Sequence, residues 1–181
     1  IMPSLVGSEM CIRDSVNVDG TKNIFEIAER ENIRVVYASS SSIYGNATQI
    51  PIKENLEKKP INPYGQTKLD NEILAEKFND LSAIGLRYFN VYGIGQTGSY
   101  AGVITKFLEK IKEKKSFIIN GDGSQVRDFI HVKDIAKANV IAMENKISKG
   151  FFNIGTGIPT SINDLAKIMV NLSEQKLEII H

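Results

Sequence analysis

The sequence predicts an α/β protein built on a parallel β-sheet. From Val16 onward, short apolar runs typical of strands alternate with amphipathic segments typical of helices of about 10–15 residues. Residues 33–40, IRVVYASS, form a β-branched and largely apolar run that suits a strand covered on both faces. Strands and helices that alternate in this way predict βαβ units, in which each helix connects two parallel strands.

The first two predicted helices are marked by their apolar residues and their caps. The first covers residues 21–32. Its apolar side chains fall on one predicted helical face: Ile24, Phe25, Ile27 and Ala28. The second covers residues 63–78 and follows Asn62, a residue type that commonly caps helices. Pro63 stands in its first turn, where a missing N–H group costs nothing.

The rest of the chain continues the same alternation. Predicted strands cover residues 83–89, 116–119 and 150–155, and predicted helices cover residues 102–114, 132–145 and 161–175. Ser161 is expected to cap the last helix, with Asp164 three residues later as its partner in a capping box.

Composition excludes several classes of protein. A net charge of +1 gives no strong field that would attract nucleic acid or an anionic membrane. The basic run at residues 109–115, EKIKEKK, alternates in sign and predicts a solvated helix face rather than a binding patch. The single cysteine, Cys11, excludes an internal disulfide framework and favours a reducing compartment such as the cytoplasm. His131 and His181 lie far apart, so no zinc site is expected.

The two ends of the chain differ from the rest. Residues 1–15 show neither helical nor strand periodicity, and we expect them to be a non-native leader outside the fold. At the other end the chain stops just after the strand-like run KLEII, residues 176–180. We therefore expect both ends to be truncated.

The segment NPYGQTK, residues 62–68, carries the strongest chemical signal. Of six tyrosines, only Tyr64 has a lysine four residues later, at Lys68. On a helix these positions share a face, so the ammonium can approach the phenol ring and stabilise a phenolate. A phenol tuned in this way is a usable general base at neutral pH. The alternative is a surface helix that carries both residues by chance.

A run of serines follows the strand at residues 33–40. The segment YASSSSIYG, residues 37–45, places hydroxyl groups where this strand ends. Open parallel sheets bind their ligands at the carboxyl ends of the strands. A polar connection without function would explain any one serine, but a serine run before a Tyr-x-x-x-Lys helix favours an active site.

Five segments together resemble one enzyme family. YASSSSIYG, NPYGQTK, LRYFNVYG, GDGSQVRDFIHV and FNIGTG stand in the order and spacing of the extended short-chain dehydrogenase/reductases, from about Val16 to the end of the chain. Within them the chain is most similar to the NAD-dependent sugar-nucleotide epimerases, in particular the branch that interconverts UDP-glucose and UDP-galactose. The resemblance implies a Rossmann-like doubly wound parallel sheet, NAD as cofactor and a nucleotide sugar as substrate.

The resemblance also assigns roles to individual residues. It makes Tyr64 the catalytic base, Lys68 its tuning partner and the anchor of the cofactor ribose, and Ser40 the hydroxyl that hydrogen-bonds the reacting group. Further positions match residues that hold the cofactor or the sugar-nucleotide diphosphate. On the cofactor side these are Asn17 and Tyr88, with Tyr64 and Lys68; on the substrate side they are Asn90 and Arg127, with Ser40.

Some positions depart from the family pattern. Ser41 and Ser42 stand where the dehydratases carry an Asp-Glu pair, which favours epimerisation over elimination. Asn120 stands where the family often has an aromatic residue that packs near the nucleobase, so one contact that favours uridine is missing. The glycine-rich loop that normally binds the cofactor pyrophosphate after a first strand is absent, and the late GIGQTG at residues 93–98 does not replace it.

These departures define the expected domain organisation. Residues 16–95 are expected to form the C-terminal half of the NAD-binding domain. Residues 96–181 are expected to form a small α/β substrate-binding portion, of which residues 132–157 pack back on the main sheet.

The alternatives remain open at the level of sequence. One is a 6-epimerase of ADP-heptose, or another sugar-nucleotide reductase of the same superfamily. Another is a catalytically inactive fragment that binds nucleotide sugars or dimerises. Even if the parent protein is an NAD-dependent epimerase, we expect residues 16–181 to be inactive on their own, because the helix N-terminus that normally holds the cofactor pyrophosphate is missing. The resemblance further implies a homodimer through the helices at 21–32 and 63–78, since in this family two such helices pair across a two-fold axis.

Overall fold

The computed structural model describes residues 15–96 and 102–181. Cys11, nearly all of the expected leader and the end of the GIGQTG segment lie outside these residues. The chain forms two compact units. The first contains the described residues up to Phe89 together with Ala136–Ile154, and the second contains the described residues of Asn90–Ile135 together with Gly155–His181.

The helices and strands follow one another in the predicted alternation. A π-helical turn at Ser15–Asp19 leads into the first helix, and a 3₁₀ turn at Ser41–Tyr44 follows the first strand. In chain order the elements are α1 (Gly20–Arg30), β1 (Val35–Ser40), α2 (Pro63–Lys77), β2 (Ala83–Tyr88), β3 (Asn90–Tyr92), α3 (Val103–Glu113), β4 (Phe117–Ile118), β5 (Val126–Arg127), β6 (Phe129–His131), α4 (Val132–Glu144), β7 (Lys149–Ile154), β8 (Thr160–Ser161), α5 (Ile162–Ser173) and β9 (Ile179–Ile180).

The first unit contains the parallel sheet that the sequence predicts. Its strands lie in the order β1-β2-β7, and both pairs are parallel. Ser40, Tyr88 and Ile154 are register partners at the carboxyl edge. The three strands lie side by side in their chain order, although β7 comes from late in the sequence.

Apolar clusters cover both faces of this sheet. Phe25 of α1 and Ala75 of α2 pack in one cluster with Tyr37 of β1. Val36, the neighbouring residue of β1, packs in a second cluster with Ala142 of α4. Because successive residues of a strand point to opposite faces, the two clusters lie on opposite sides of the sheet. Helices on both faces make this a doubly wound sheet, and the predicted fold class is confirmed.

The predicted apolar face of α1 is buried only in part within the first unit. Phe25 and Ala28 are buried, but Ile24 and Ile27 remain 55% and 46% exposed. Residues three apart share a stripe on a helix, so the four side chains form two adjacent stripes. Only the stripe of Phe25 and Ala28 packs within the first unit.

The second unit has its own core between two helices. Phe107 of α3 and Phe117 of β4 stack with ring centroids 4.3 Å apart, and Ala166 and Met169 of α5 complete the cluster. The short strands pair as β3 with β6, β4 with β9, and β5 with β8. The predicted cap of the last helix is confirmed, because Ser161 Oγ accepts a hydrogen bond from the Asp164 N–H.

Among the described residues, every helix is too short or too polar to cross a bilayer.

Candidate active site

The start of α2 positions the tyrosine that the sequence singles out. Asn62 accepts a hydrogen bond from the Gly65 N–H at 2.7 Å, as predicted for the cap, and Pro63 fills the first turn. Tyr64 therefore lies at the N-terminus of the helix. A Cβ added at Gly65 would lie 2.7 Å from the main-chain oxygen of Ser42, so glycine permits α2 to approach the turn after β1.

Lys68 lies over the Tyr64 ring, as the spacing predicts. Its Nζ is 5.7 Å from the ring centroid and donates a hydrogen bond of 2.8 Å to the Ala38 carbonyl of β1. Burial lowers the pKa of the Lys68 ammonium. Tyr64 itself is 43% exposed, so its hydroxyl group can meet a ligand.

Ser40 ends β1 with a buried side chain. Its Oγ accepts a hydrogen bond from the Ser42 N–H at 3.2 Å and lies 2.8 Å from Ser42 Oγ. These two contacts cap the 3₁₀ turn and fix the position of the Ser40 oxygen. The carboxyl edge of β1 thus carries a hydroxyl group with a defined orientation.

The two further cofactor-side residues have different surroundings. Asn17 Nδ2 donates to Thr67 Oγ1 at 3.3 Å, and Thr67 in turn donates to the Tyr64 carbonyl, so Asn17 lies beside the first turns of α2. The Tyr88 ring packs in the apolar cluster of α4, and its hydroxyl group hydrogen-bonds the Asn139 amide. A contact of Tyr88 with a cofactor would therefore use its main chain.

Sequence reasoning missed a buried ion pair beneath this edge. Arg87 of β2 and Glu72 of α2 are each 2% exposed. Arg87 donates to the Glu72 carboxylate through Nε at 2.9 Å and through a terminal nitrogen at 2.7 Å. The signal was present in the sequence, because Arg87 stands in the otherwise apolar strand AIGLRYF, and a buried charge needs a partner.

The second unit contains a pocket with a cavity of about 620 Å³. It brings together Asn90, Arg127 and Asn120, three residues that the sequence analysis names. Asn90 Nδ2 donates to the Asp128 carbonyl at 3.1 Å, and Arg127 donates to the Val126 carbonyl at 2.8 Å.

Two lysines of α3 add to the charge of this pocket. Lys106 and Lys110 line it with Arg127, and the described residues that line it include no carboxylate. Lys110 Nζ also lies 3.7 Å from the Glu113 carboxylate. The solvated face expected for the run at 109–115 stays a prediction. Positive charge from Lys106 and Arg127 beside one cavity favours an anionic ligand.

Fold and site together define a Rossmann-type member of the short-chain dehydrogenase/reductases. The model of the NAD dependent epimerase/dehydratase family matches residues 11–155, and the chain belongs to that family. A relative from Methanocaldococcus jannaschii, provisionally named UDP-glucose 4-epimerase, is 42% identical over 160 residues, covering 85% of this chain and 52% of the relative.

Two further proteins are similar over nearly the same region. The ADP-L-glycero-D-manno-heptose-6-epimerase of Brachyspira hyodysenteriae is 35% identical over 84% of this chain and 51% of its own. The structure of UDP-N-acetylglucosamine 4-epimerase from Methanobrevibacter ruminantium, with UDP-N-acetylmuramic acid, superposes with a TM-score of 0.91. It is 35% identical, and the match covers 98% of this chain and 60% of that one. The chain spans about half the length of the curated relatives it matches.

The close approach at Gly65 generates a prediction. Gly65→Ala should lower the free energy of unfolding by about 1–3 kcal/mol, because the new methyl group meets main chain that has little room to move. Urea unfolding of the purified protein measures the change. Gln66→Ala, at an exposed neighbouring position of the same turn, should change it by less than about 0.5 kcal/mol. Alanine at 65 that stabilises the protein, as helix propensity alone favours, would contradict the contact.

Proposed function

We propose that the protein interconverts UDP-glucose and UDP-galactose by transient oxidation at C4. The observation that carries the proposal is the Tyr64–Lys68 pair, whose lysine hydrogen-bonds Ala38 of β1 two residues before Ser40. Membership of an NAD dependent family supports the redox step, and the relative from Methanocaldococcus jannaschii supports this substrate.

Tyr64 acts in this mechanism as the base that takes the proton of the sugar hydroxyl group. Lys68 stabilises the phenolate that results. A unit charge at the 5.7 Å that separates Nζ from the ring centroid contributes about 3 kcal/mol at an effective dielectric constant of about 20. The Lys68–Ala38 hydrogen bond keeps the ammonium in that position.

Ser40 orients the reacting hydroxyl group. Its oxygen is held by Ser42, so it can hydrogen-bond the substrate without first losing conformational freedom. The serines at 41 and 42 offer no carboxylic acid to protonate a leaving hydroxyl group. The mechanism is therefore epimerisation and not dehydration.

The donor groups around Tyr64 fit the NAD that the family requires. An ammonium has three protons, and the Ala38 carbonyl takes one from Lys68, which leaves donors suited to ribose hydroxyl groups. We assign Lys68, Tyr64, Asn17 and the main chain of Tyr88 to the nicotinamide half of the cofactor. When bound, NAD supplies the acceptor and donor of the hydride.

The pocket of the second unit is assigned to the nucleoside diphosphate of the substrate. Arg127 offers a planar fork that matches phosphate oxygens, and Asn90 adds an amide donor. Lys106 and Lys110 extend the positive charge along one side of α3, since positions four apart share a helix face.

One experiment tests the proposed activity against two alternatives. The purified full-length protein, which extends beyond the residues that the structure describes, is incubated with NAD and one nucleotide sugar at a time: UDP-glucose, UDP-galactose, UDP-N-acetylglucosamine or an ADP-heptose. The products are separated by chromatography. We expect the first two sugars to interconvert. Turnover of the heptose alone would assign the 6-epimerase activity of the Brachyspira relative. Calorimetric binding of a nucleotide sugar without any turnover would assign a non-catalytic binding protein.

The role of Tyr64 predicts the effect of removing its hydroxyl group. Tyr64→Phe should lower kcat by at least about a thousandfold, because the base contributes the proton transfer as well as the charge that Lys68 stabilises. Affinity for UDP, measured by calorimetry, should stay within about twofold. Turnover within tenfold of the parent protein would reject Tyr64 as the base.

Lys68 has a separate test. Lys68→Met removes about 3 kcal/mol of phenolate stabilisation, which corresponds to about a hundredfold in kcat. Steady-state kinetics measure kcat, with Lys68→Arg as the variant that keeps the charge and should retain more of it. A kcat of Lys68→Met within threefold of the parent value would contradict the role of the ammonium.

We also propose a homodimer through α1 and α2. Ile24 and Ile27 of α1 and Ile73 of α2 leave apolar surface exposed on these helices. Light scattering at micromolar concentration should give a dimer for the parent protein and a monomer for Ile24→Glu/Ile27→Glu. Ile158→Glu, at another exposed isoleucine, should remain dimeric. A monomeric parent protein would contradict the proposal.

A further inference from the structure

The buried Glu72–Arg87 pair has no part in the proposed chemistry. Both side chains are almost completely shielded from solvent. Glu72 accepts two hydrogen bonds from Arg87 and a third, at 2.6 Å, from the hydroxyl group of Ser39. Ser39 is the residue immediately before Ser40, so one end of the pair is attached directly beside the catalytic serine.

Arg87, the other member of the pair, hydrogen-bonds residues that follow Ser40 in the chain. Arg87 donates to the Tyr44 hydroxyl group at 2.7 Å and to the Glu54 carbonyl at 3.1 Å. Tyr44 in turn donates to Asn153 of β7 at 2.8 Å. Tyr44 closes the 3₁₀ turn that Ser40 caps, so the network holds the chain on both sides of Ser40.

Glu72 also belongs to the helix that carries the base. It lies one turn after Lys68 and two turns after Tyr64 on α2. Lys68 donates a hydrogen bond to the Ala38 carbonyl, and Glu72 accepts one from the Ser39 hydroxyl group. Helix α2 is therefore hydrogen-bonded to the two consecutive residues that precede Ser40. The distance between the helix of Tyr64 and the strand end of Ser40 depends on these two contacts.

Stability alone does not explain a pair of this kind. Two charges lose their hydration when they are buried, and apolar residues of similar volume often replace such a pair with no loss of stability. Apolar residues cannot reproduce the fixed geometry of hydrogen bonds. The two side chains take part in five hydrogen bonds, and together these define one arrangement of α2, β1, β2 and the turn.

We propose that the Glu72–Arg87 pair is a positioning device that fixes the Ser40 hydroxyl group relative to the Tyr64 phenol. The proposal rests on the proposed function, in which both groups act on one sugar hydroxyl group. A displacement of about 1 Å between reacting groups can lower a rate by about a hundredfold. Neither Glu72 nor Arg87 touches the substrate in this account; both act through Ser39, Tyr44 and α2.

The test replaces the pair as a unit, because removal of one partner leaves an unpaired buried charge and unfolds the site. Glu72→Leu/Arg87→Met keeps the volume and removes both charges. We expect its Tm to stay within a few degrees of the parent protein. The KM for the nucleotide sugar should change by less than about threefold, while kcat falls by about a hundredfold.

A matched control uses an exposed ion pair of the same unit. Glu57 and Lys59 lie 2.8 Å apart with side chains 71% and 72% exposed. Glu57→Gln/Lys59→Gln should leave Tm, KM and kcat within about twofold of the parent values, because surface pairs contribute little. Arg87→Lys, which keeps a positive charge beside Glu72, should lose less kcat than the paired variant Glu72→Leu/Arg87→Met.

Amide hydrogen exchange provides a measurement that does not need turnover. In the paired variant, the amides of Ser39–Tyr44 should exchange at least about tenfold faster, while those of Ile84–Leu86 in β2 keep their rates. Faster exchange throughout the first unit, or a kcat within threefold of the parent at unchanged Tm, would overturn the proposal. If the parent protein turns over no nucleotide sugar, the proposed function fails, and the exchange pattern still decides whether the pair holds this segment.

Discussion

Arg87 carries a full positive charge in the middle strand of a sheet that is covered on both faces, and the surroundings of that charge set the form of the site. The guanidinium has five N–H donors, and its partners come from α2, the turn after β1 and the loop around Glu54. Its ring contacts, with Tyr44 and Phe151, close the remaining sides. The hydrogen bonds to this one buried charge therefore fix the positions of α2, the end of β1 and the turn that follows it.

The chemical groups and the binding groups lie in different parts of the chain. The first unit carries the hydroxyl groups and the ammonium that can move and stabilise a proton, namely Tyr64, Ser40 and Lys68. The second unit carries the cationic pocket with Arg127 and Lys106.

Local signals explain what could be predicted from the sequence. The caps at Asn62 and Ser161 act within three residues, and the approach of Lys68 to Tyr64 needs only one helical turn. These features do not depend on the rest of the fold, and the structure has all of them. The parallel sheet could also be predicted, because apolar strands and helices alternate along most of the chain.

What could not be predicted depends on contacts between distant residues. Glu72 and Ser39 are 33 positions apart, and no helical or strand period connects them. The two apolar stripes of α1 look alike in sequence, and only packing against Tyr37 and Phe78 selects the stripe of Phe25. Lys110 lies in a run that alternates in charge, and the cavity beside it forms only when β3, β5 and α3 come together.

In the proposed reaction, the hydrogen on C4 of the nucleotide sugar leaves as hydride and returns to the same carbon. The most direct measurement uses UDP-galactose with deuterium at C4, incubated with the full-length protein and NAD and followed by proton NMR. We expect the deuterium to be retained at C4 of the UDP-glucose formed, and the labelled substrate to react more slowly than the unlabelled one. Loss of the label to water, or inversion at any carbon other than C4, would contradict the proposed reaction.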